Sequence, residues 1–368
     1  MRRVKIIGAG SIGNHIAHGC RQKSWDVVIT DIDVSALQRT RENIYPQRYG
    51  SWDEGIRLCQ PKEIEGESFD LTIIGTPPDS HMAIARTELE TAAPKVLAVE
   101  KPFSTPSLAG CEALCRLAAK VGTTMVVGYN HTLTPHTVEA AAWIREGLLG
   151  TPCTLDAAVR ENWNGILKAH PWLPGPTATY LGHWRRGGGA GGEHSHGINN
   201  WQHFSRLLGQ GKIVEVSAMI DWVTTEDGAE YDRIFQVNAR TETGFTGRIV
   251  QDVVTDPTDK SVTVVGEKGV MQWKVNQTTG NDGLTFAPVT GAGREKLFPK
   301  KRPDDFKGEI EEWGRLLEGG NPSVSPISLE CALDTMRVLA AAYLSGEKKR
   351  VVRINYEAPV TPDCLEIL

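Results

Sequence analysis

From Val4 to about Gly128 the chain alternates short apolar runs with longer stretches of helical character; the runs are VKIIG, WDVVIT, FDLTIIG, VLAVE and TMVVG. Runs this short and this continuously apolar read as parallel strands covered on both faces by helices. A helical pattern with Val138, Ala142, Ile144 and Leu148 follows, and Gly150-Thr151-Pro152 stops it. Period-two alternation then takes over in Leu155–Arg160, Ile213–Trp222, Arg233–Thr241, Phe245–Val254, Ser261–Val265 and Val270–Val275. Turns such as Thr243-Gly244 and Glu267-Lys268-Gly269 join these segments, which predicts antiparallel pairing. Near the end, Phe306, Ile310, Trp313, Leu316 and Leu317 form one helical stripe, Ser328 to Leu344 a second helix, and Arg350 to Ile354 one more strand. The pattern predicts an α/β chain: a doubly wound parallel sheet over residues 1–130, then an α+β domain over 131–368 with a large open, mainly antiparallel sheet.

The first apolar run breaks into Gly8, Gly10 and Gly13 within GAGSIG, where a buried strand turns directly into a helix. This is the Rossmann form of a dinucleotide site: the turn with Ser11 and Ile12 presents main-chain amides to a pyrophosphate. The second strand ends at Asp31, followed by Ile32, about twenty residues on, where a carboxylate accepts hydrogen bonds from the adenosine ribose. Its alternative use is as a turn residue or cap for a helix beginning near Ser35. A carboxylate there also repels a 2'-phosphate, so NAD is expected as cofactor, with NADP kept open by Arg39 and Arg41.

Composition narrows the classes without adding a site. With 368 residues, 40% of them hydrophobic, the chain can bury the cores of two domains. A formal net charge of −5 and the lack of a basic run argue against nucleic acid and anionic membrane partners. No apolar run approaches the roughly 18 residues that span a bilayer, and the first strand starts at Val4, so a cytoplasmic protein is expected. Six strands in one open sheet leave a face that is either solvated or an interface, and a homodimer or homotetramer through that sheet is expected. The seven cysteines lack the paired spacings of a zinc site.

Chemistry-bearing residues fall at two places. The third run ends in Thr76-Pro77-Pro78 with His81 behind it, at the sheet edge that receives ligands in doubly wound folds, and Thr76 and Pro77 are candidates to line the nicotinamide ribose. The fourth run ends in Glu100-Lys101-Pro102, placing a lysine at the same edge, where an ammonium polarises a hydroxyl or carbonyl. The second place is the polar and aromatic stretch from His170 to His203, with Trp172, Tyr180, His183, Trp184, Arg185, a run of glycines and then GGEHSHGINNW. Glu193, His194 and His196 are metal-ligand types, but no HExxH spacing is present and hydride transfer needs none, so no metal is expected. His196 suits proton transfer, with Glu193 orienting it from the preceding turn.

These motifs together resemble the Gfo/Idh/MocA oxidoreductases, the glucose-fructose oxidoreductase and inositol dehydrogenase family, over nearly the whole chain. The resemblance rests on GAGSIG, TPPDSH, EKP at Glu100–Pro102, VGYNHTLTP at Val127–Pro135, the tryptophan and arginine before GGG, and Ser328-Leu329-Glu330. It implies that Lys101 is the catalytic lysine, that Thr76, Pro77 and His81 belong to the cofactor site, and that Glu100 lies near the nicotinamide. It implies substrate contacts at Asn130, His131, Trp172, Tyr180, His183, Trp184, Arg185 and His194. The family places an aspartate four residues before its active-site histidine; here Glu193 precedes His196 by three, which leaves His194 as the alternative imidazole. Asn199 stands where a second acidic residue is common, and His131 where an arginine is frequent. The expected function is an NAD-dependent oxidoreductase moving hydride between nicotinamide and a secondary hydroxyl or ketone of a sugar, sugar derivative or cyclitol. The alternatives are an NAD-dependent glycosidase with transient redox chemistry and a non-catalytic NAD-binding regulator.

Overall fold

A computed structural model describes residues 1–168, 172–301 and 304–368. They divide into two compact units: the first comprises residues 1–103, 110–130 and 304–329, the second residues 104–109, 131–301 and 330–368. The chain changes unit at Asn130/His131 and returns to the first unit near its end.

The first unit is built on six parallel strands, β1 (Arg3–Ile7), β2 (Asp26–Thr30), β3 (Ile56–Cys59), β4 (Leu71–Ile74), β5 (Val96–Val99) and β6 (Thr124–Val127), in the order β3-β2-β1-β4-β5-β6. Leu71 to Ile74 and Val96 to Val99 are buried at every position because helices cover both faces. Those helices are α1 (Ser11–Gln22), α2 (Val34–Arg39), α3 (Tyr45–Tyr49), α4 (Pro78–Thr91) and α5 (Cys111–Val121). Asp33 caps α2, accepting the Ser35 N–H at 2.9 Å. Beneath the sheet the Lys5 ammonium meets the Glu88 carboxylate at 2.5 Å, both nearly buried, with Lys5 also 5.3 Å from the centre of the Phe69 ring.

The second unit carries α6 (Pro135–Arg145) and a ten-stranded sheet. Its strands are β7 (Pro152–Arg160), β8 (Ile213–Thr224), β9 (Glu230–Thr241), β10 (Thr246–Asp252), β11 (Asp259–Gly266), β12 (Gly269–Thr278), β13 (Asn281–Pro288), β14 (Arg294–Pro299), β15 (Val352–Ile354) and β16 (Leu365–Ile367). The order is β14-β13-β12-β11-β7-β10-β9-β8-β15-β16, antiparallel throughout except for the β7–β10 pair. Between β7 and β8 lie α7 (Trp163–Lys168), α8 (Gly189–Glu193) and α9 (His196–Leu207). The fully buried Trp201 of α9 donates its indole N–H to Leu155 O at 2.8 Å, and Trp273 of β12 donates to Thr137 Oγ1 of α6 at 2.8 Å. The last helices are α10 (Lys307–Leu317), which belongs to the first unit and sets Ile310 against Gly19 of α1, and α11 (Leu329–Lys348), whose Ser345 accepts the Ala218 N–H of β8 at 3.0 Å.

A buried carboxylate deprived of its lysine costs more than the pair is worth. Lys5→Met, which strands a buried Glu88, is expected to lower unfolding stability by about 3 kcal/mol, and adding Glu88→Leu to recover most of it. Denaturant unfolding of both variants checks this; equal losses contradict it.

Candidate active site

In the first unit the sheet ladder continues one step beyond its strands. Gly8 N–H donates to Thr30 O at 2.8 Å, Gly75 N–H to Ile7 O at 2.8 Å, Glu100 N–H to Ile74 O at 2.9 Å and Gly128 N–H to Val99 O at 2.9 Å. These bonds align the loops after β1, β4, β5 and β6 along one edge. Gly8 has φ +113°, which L side chains rarely adopt, and a Cβ there meets Gly75 O at 2.9 Å. A Cβ on Gly13 falls 2.3 Å from Gly8 O, so the helix approaches its strand only without one, whereas Gly10 faces open space.

The turn is braced from three directions. Asp31 accepts Ala9 N–H through one oxygen at 2.8 Å and Asp33 N–H through the other at 2.9 Å. Asn14 donates to Gly10 O at 2.8 Å, and Thr40 donates to Ala9 O at 2.8 Å. Arg48 of α3 donates to Ser11 O at 2.8 Å and Ser11 Oγ at 2.7 Å, bringing a positive charge to the helix start. No sequence motif marks Arg48, because its partner lies 37 positions away. Half-exposed Ile12 flanks this turn, and Ile32, 85% exposed, follows Asp31. An uncapped helix N-terminus, an open Gly10, a guanidinium and a carboxylate with spare lone pairs fit a dinucleotide.

Further along the edge, Thr76 Oγ1 lies 2.7 Å from Ser80 Oγ, which donates to Pro77 O at 2.7 Å. His81 does not face the edge. Its ring is fully buried, with Nε2 2.7 Å from Thr76 O and Nδ1 3.1 Å from Pro102 O, so the cofactor contact expected of it is replaced by contacts to main chain. The Glu100 carboxylate lies over Gly128, where a Cβ would come within 2.9 Å of Oε1. Glu309 of α10 is fully buried, and its two oxygens lack hydrogen-bond partners among the described residues. Burial and then the charge of Glu100 push its carboxyl well above the usual range. Half-exposed Lys101 follows Glu100, and Asn130 donates its amide to Asp305 O at 3.1 Å.

The second unit brings other expected residues together. The rings of His131 and His196 stack at 4.1 Å and 19°, and Asn200 Nδ2 lies 3.4 Å from His131 Nδ1. Tyr180 donates its hydroxyl to Glu193 at 2.8 Å. His194 is buried, 3% exposed, with Nε2 3.4 Å from Glu161 O, while His196 keeps partial exposure. His183 Nε2 lies 3.2 Å from Thr177 O. Trp184 packs on Trp222 and Tyr343 with Arg185 stacked over its ring at 4.5 Å and paired to Glu230; a cavity of about 260 Å³ opens between them. Trp172 is half-buried, and His170 lies outside the described residues. Among the described residues no group of three or more His, Cys, Asp or Glu is arranged to hold a metal.

What holds the imidazole-bearing segment was not legible in its own sequence. Asp232 of β9, fully buried, accepts Gly191 N–H at 2.6 Å and the Tyr343 hydroxyl at 2.9 Å. Gln251 of β10 donates to Ala190 O at 2.8 Å and Gly191 O at 3.0 Å. A Cβ on Gly191 falls 2.6 Å from Tyr343 Oη, so the glycines are there to let α8 sink between these groups.

The two units define a dinucleotide-binding oxidoreductase architecture, a Rossmann domain joined to a domain with a broad mixed sheet. Residues 2–129 match the oxidoreductase family with an NAD-binding Rossmann fold, and residues 137–272 match the Gfo/Idh/MocA C-terminal domain, so the chain belongs to the Gfo/Idh/MocA oxidoreductases and its first unit is an NAD-binding domain. No curated relative matches the chain by sequence. Among solved structures, an aldose-aldose oxidoreductase from Caulobacter crescentus complexed with glycerol shares the fold at 18% identity and TM-score 0.75, over 96% of this chain and 99% of that one. A putative myo-inositol dehydrogenase from Sinorhizobium meliloti 1021 aligns at 20% identity and TM-score 0.72, over 96% and 99%. The WlbA dehydrogenase from Bordetella pertussis, in complex with NADH and UDP-GlcNAcA, aligns at 17% identity and TM-score 0.72, over 96% and 97%.

Burial raises the Asp232 carboxyl from 3.8 to about 7, against the pull of its two donors. A raised acid stabilises the fold fully below its unfolded value and loses that contribution as pH climbs to its folded value. Relative to Asp232→Asn, the wild-type melting temperature is therefore expected to fall between about pH 4 and pH 7. Melting curves of the two proteins that run parallel across this window contradict the assignment.

Proposed function

We propose that this protein is an NAD-dependent dehydrogenase that oxidises a secondary hydroxyl of a sugar, sugar derivative or cyclitol, or reduces the corresponding ketone. The observation that carries this reading is the edge of the first sheet, where the braced glycine turn, Asp31, Thr76, Pro77 and Lys101 follow strand ends held in register. Bound NAD supplies the hydride acceptor. The amides of Gly10, Ser11 and Ile12 and the Arg48 guanidinium take the pyrophosphate, and Asp31 takes the adenosine ribose while Ile32 covers the adenine face. Thr76 and Pro77 border the nicotinamide end, with Glu100 beside them.

Lys101 of the first unit is assigned the charge that develops on the substrate oxygen. His196 of the second unit is assigned the hydroxyl proton, because imidazole accepts a proton near neutral pH and His196 is half-buried where His194 is buried. His131, stacked on His196, limits the tilt of that ring. Trp172, Tyr180, His183, Trp184 and Arg185 are assigned to the substrate wall, since aromatic faces suit the apolar side of a pyranose. Neighbours named as an aldose-aldose oxidoreductase and a putative myo-inositol dehydrogenase, and a dehydrogenase in complex with NADH and UDP-GlcNAcA, support the substrate class.

The test is a panel of sugars, sugar acids, inositols and nucleotide sugars, followed by NADH absorbance, with NADP in parallel. NADH is expected to form in proportion to substrate, and Lys101→Ala to lower the rate by about 100-fold or more with NAD binding retained. Release of a cleaved glycoside without net NADH contradicts the assignment, as does a Lys101→Ala enzyme within about tenfold of wild type.

A further inference from the structure

Fully buried His81, on the first turn of α4, turns both ring nitrogens to main-chain carbonyls. Its Nε2 lies 2.7 Å from the carbonyl of Thr76, in the loop after β4. Its Nδ1 lies 3.1 Å from the carbonyl of Pro102 and 3.3 Å from that of Phe103, in the loop after β5. Those are the stretches that carry Thr76 and Pro77 on one side and Lys101 on the other. Past the last sheet rung between them, Glu100 N–H to Ile74 O, the imidazole joins the two loops again.

We propose that His81 is a positioning residue that clips the loop bearing Thr76 and Pro77 to the loop bearing Lys101, fixing the spacing between the cofactor wall and the catalytic lysine. The inference rests on the reading of those residues given above and adds a residue that acts through them.

The donor count gives the clip its character. A neutral imidazole has one N–H, whereas three carbonyl oxygens face this ring, and only an imidazolium donates from both nitrogens. Burial lowers the ring below its usual pKa, and the three carbonyls and Asp79 oppose that shift without reversing it. A neutral ring therefore has one proton to offer, to Thr76 O through Nε2 or to the Pro102 and Phe103 carbonyls through Nδ1. The two loops therefore share that proton, and an amide side chain that places its N–H at only one of the two nitrogen positions commits it to one loop. The TPP turn is further braced by Ser80, so it behaves as a unit that the ring can place.

Two amide side chains separate the arms. The Nε2 of a glutamine reaches where His Nε2 stands, and the Nδ2 of an asparagine where His Nδ1 stands. His81→Gln should keep the bond to Thr76 and His81→Asn should lose it. Measured by tryptophan quenching, NAD affinity of His81→Gln is expected within about threefold of wild type, and that of His81→Asn to weaken about tenfold, the size of one hydrogen bond. On the substrate found by the panel, kcat is expected to fall about tenfold in His81→Gln at saturating NAD and less in His81→Asn, because each variant keeps a different loop. The NAD arm needs no substrate and decides the matter alone. Equal NAD affinities for both variants, or losses that follow only the fall in melting temperature with His81→Ala the worst, overturn the clip. A wild-type chain that binds no NAD refutes instead the cofactor seat on which the clip depends.

Discussion

Four main-chain hydrogen bonds just beyond the strand ends carry the account. The bonds from Gly8, Gly75, Glu100 and Gly128 to the neighbouring strands extend the parallel ladder into the loops by one residue each. In a parallel sheet every strand presents its carboxyl end to the same side, so ladder register becomes loop register. A turn with open amides, a proline-stiffened corner and a lysine thereby emerge side by side from segments up to about a hundred residues apart. Their spacing is set by peptide geometry, which is rigid, and not by long flexible side chains.

The second unit solves the same problem by other means. His194 and His196 sit where α8 passes into α9, between β7 and β8, with no strand to align them. There the sheet reaches out through side chains: Asp232 takes an amide proton from the α8 turn while Gln251 gives protons to two of its carbonyls. Both are fully buried, where losing these bonds would be costly, so they fix α8 against the sheet. Tyr343 links the same carboxylate to the aromatic cluster of Trp184 and Trp222. The substrate wall proposed for this unit and its imidazole segment thus share a support.

Much of this was legible in the sequence where the signal is local. Continuous apolar runs mark β1, β2, β4, β5 and β6 because each is covered on two faces, and the residues following them are the site candidates. β3 was missed because, at the edge of its sheet, it carries the exposed Arg57 and a half-buried Leu58 in place of a continuous buried run. β14 was missed for a stronger reason: nearly every position is exposed, so pairing with β13 alone makes Arg294–Pro299 a strand and leaves no apolar trace. β13, with Asn281, Asp282 and Gly283, begins like a turn. At the site, glycines, Asp31 and Lys101 stand out by motif, whereas Arg48, Asp232, Gln251 and Glu309 act across long separations and resemble ordinary surface or core residues. His81 was read as a cofactor residue from its place behind Thr76-Pro77-Pro78, and a sequence does not say that its ring turns to the Thr76 and Pro102 carbonyls instead.

The central claim is that the carboxyl edge of the first sheet seats NAD with its reactive end at Lys101. A crystal structure of the chain grown with NAD tests it most directly. The account predicts pyrophosphate oxygens on the amides of Gly10, Ser11 and Ile12, ribose hydroxyls on Asp31, and the nicotinamide ring beside Lys101 Nζ. A dinucleotide bound elsewhere, or one whose nicotinamide lies far from Lys101, would contradict it.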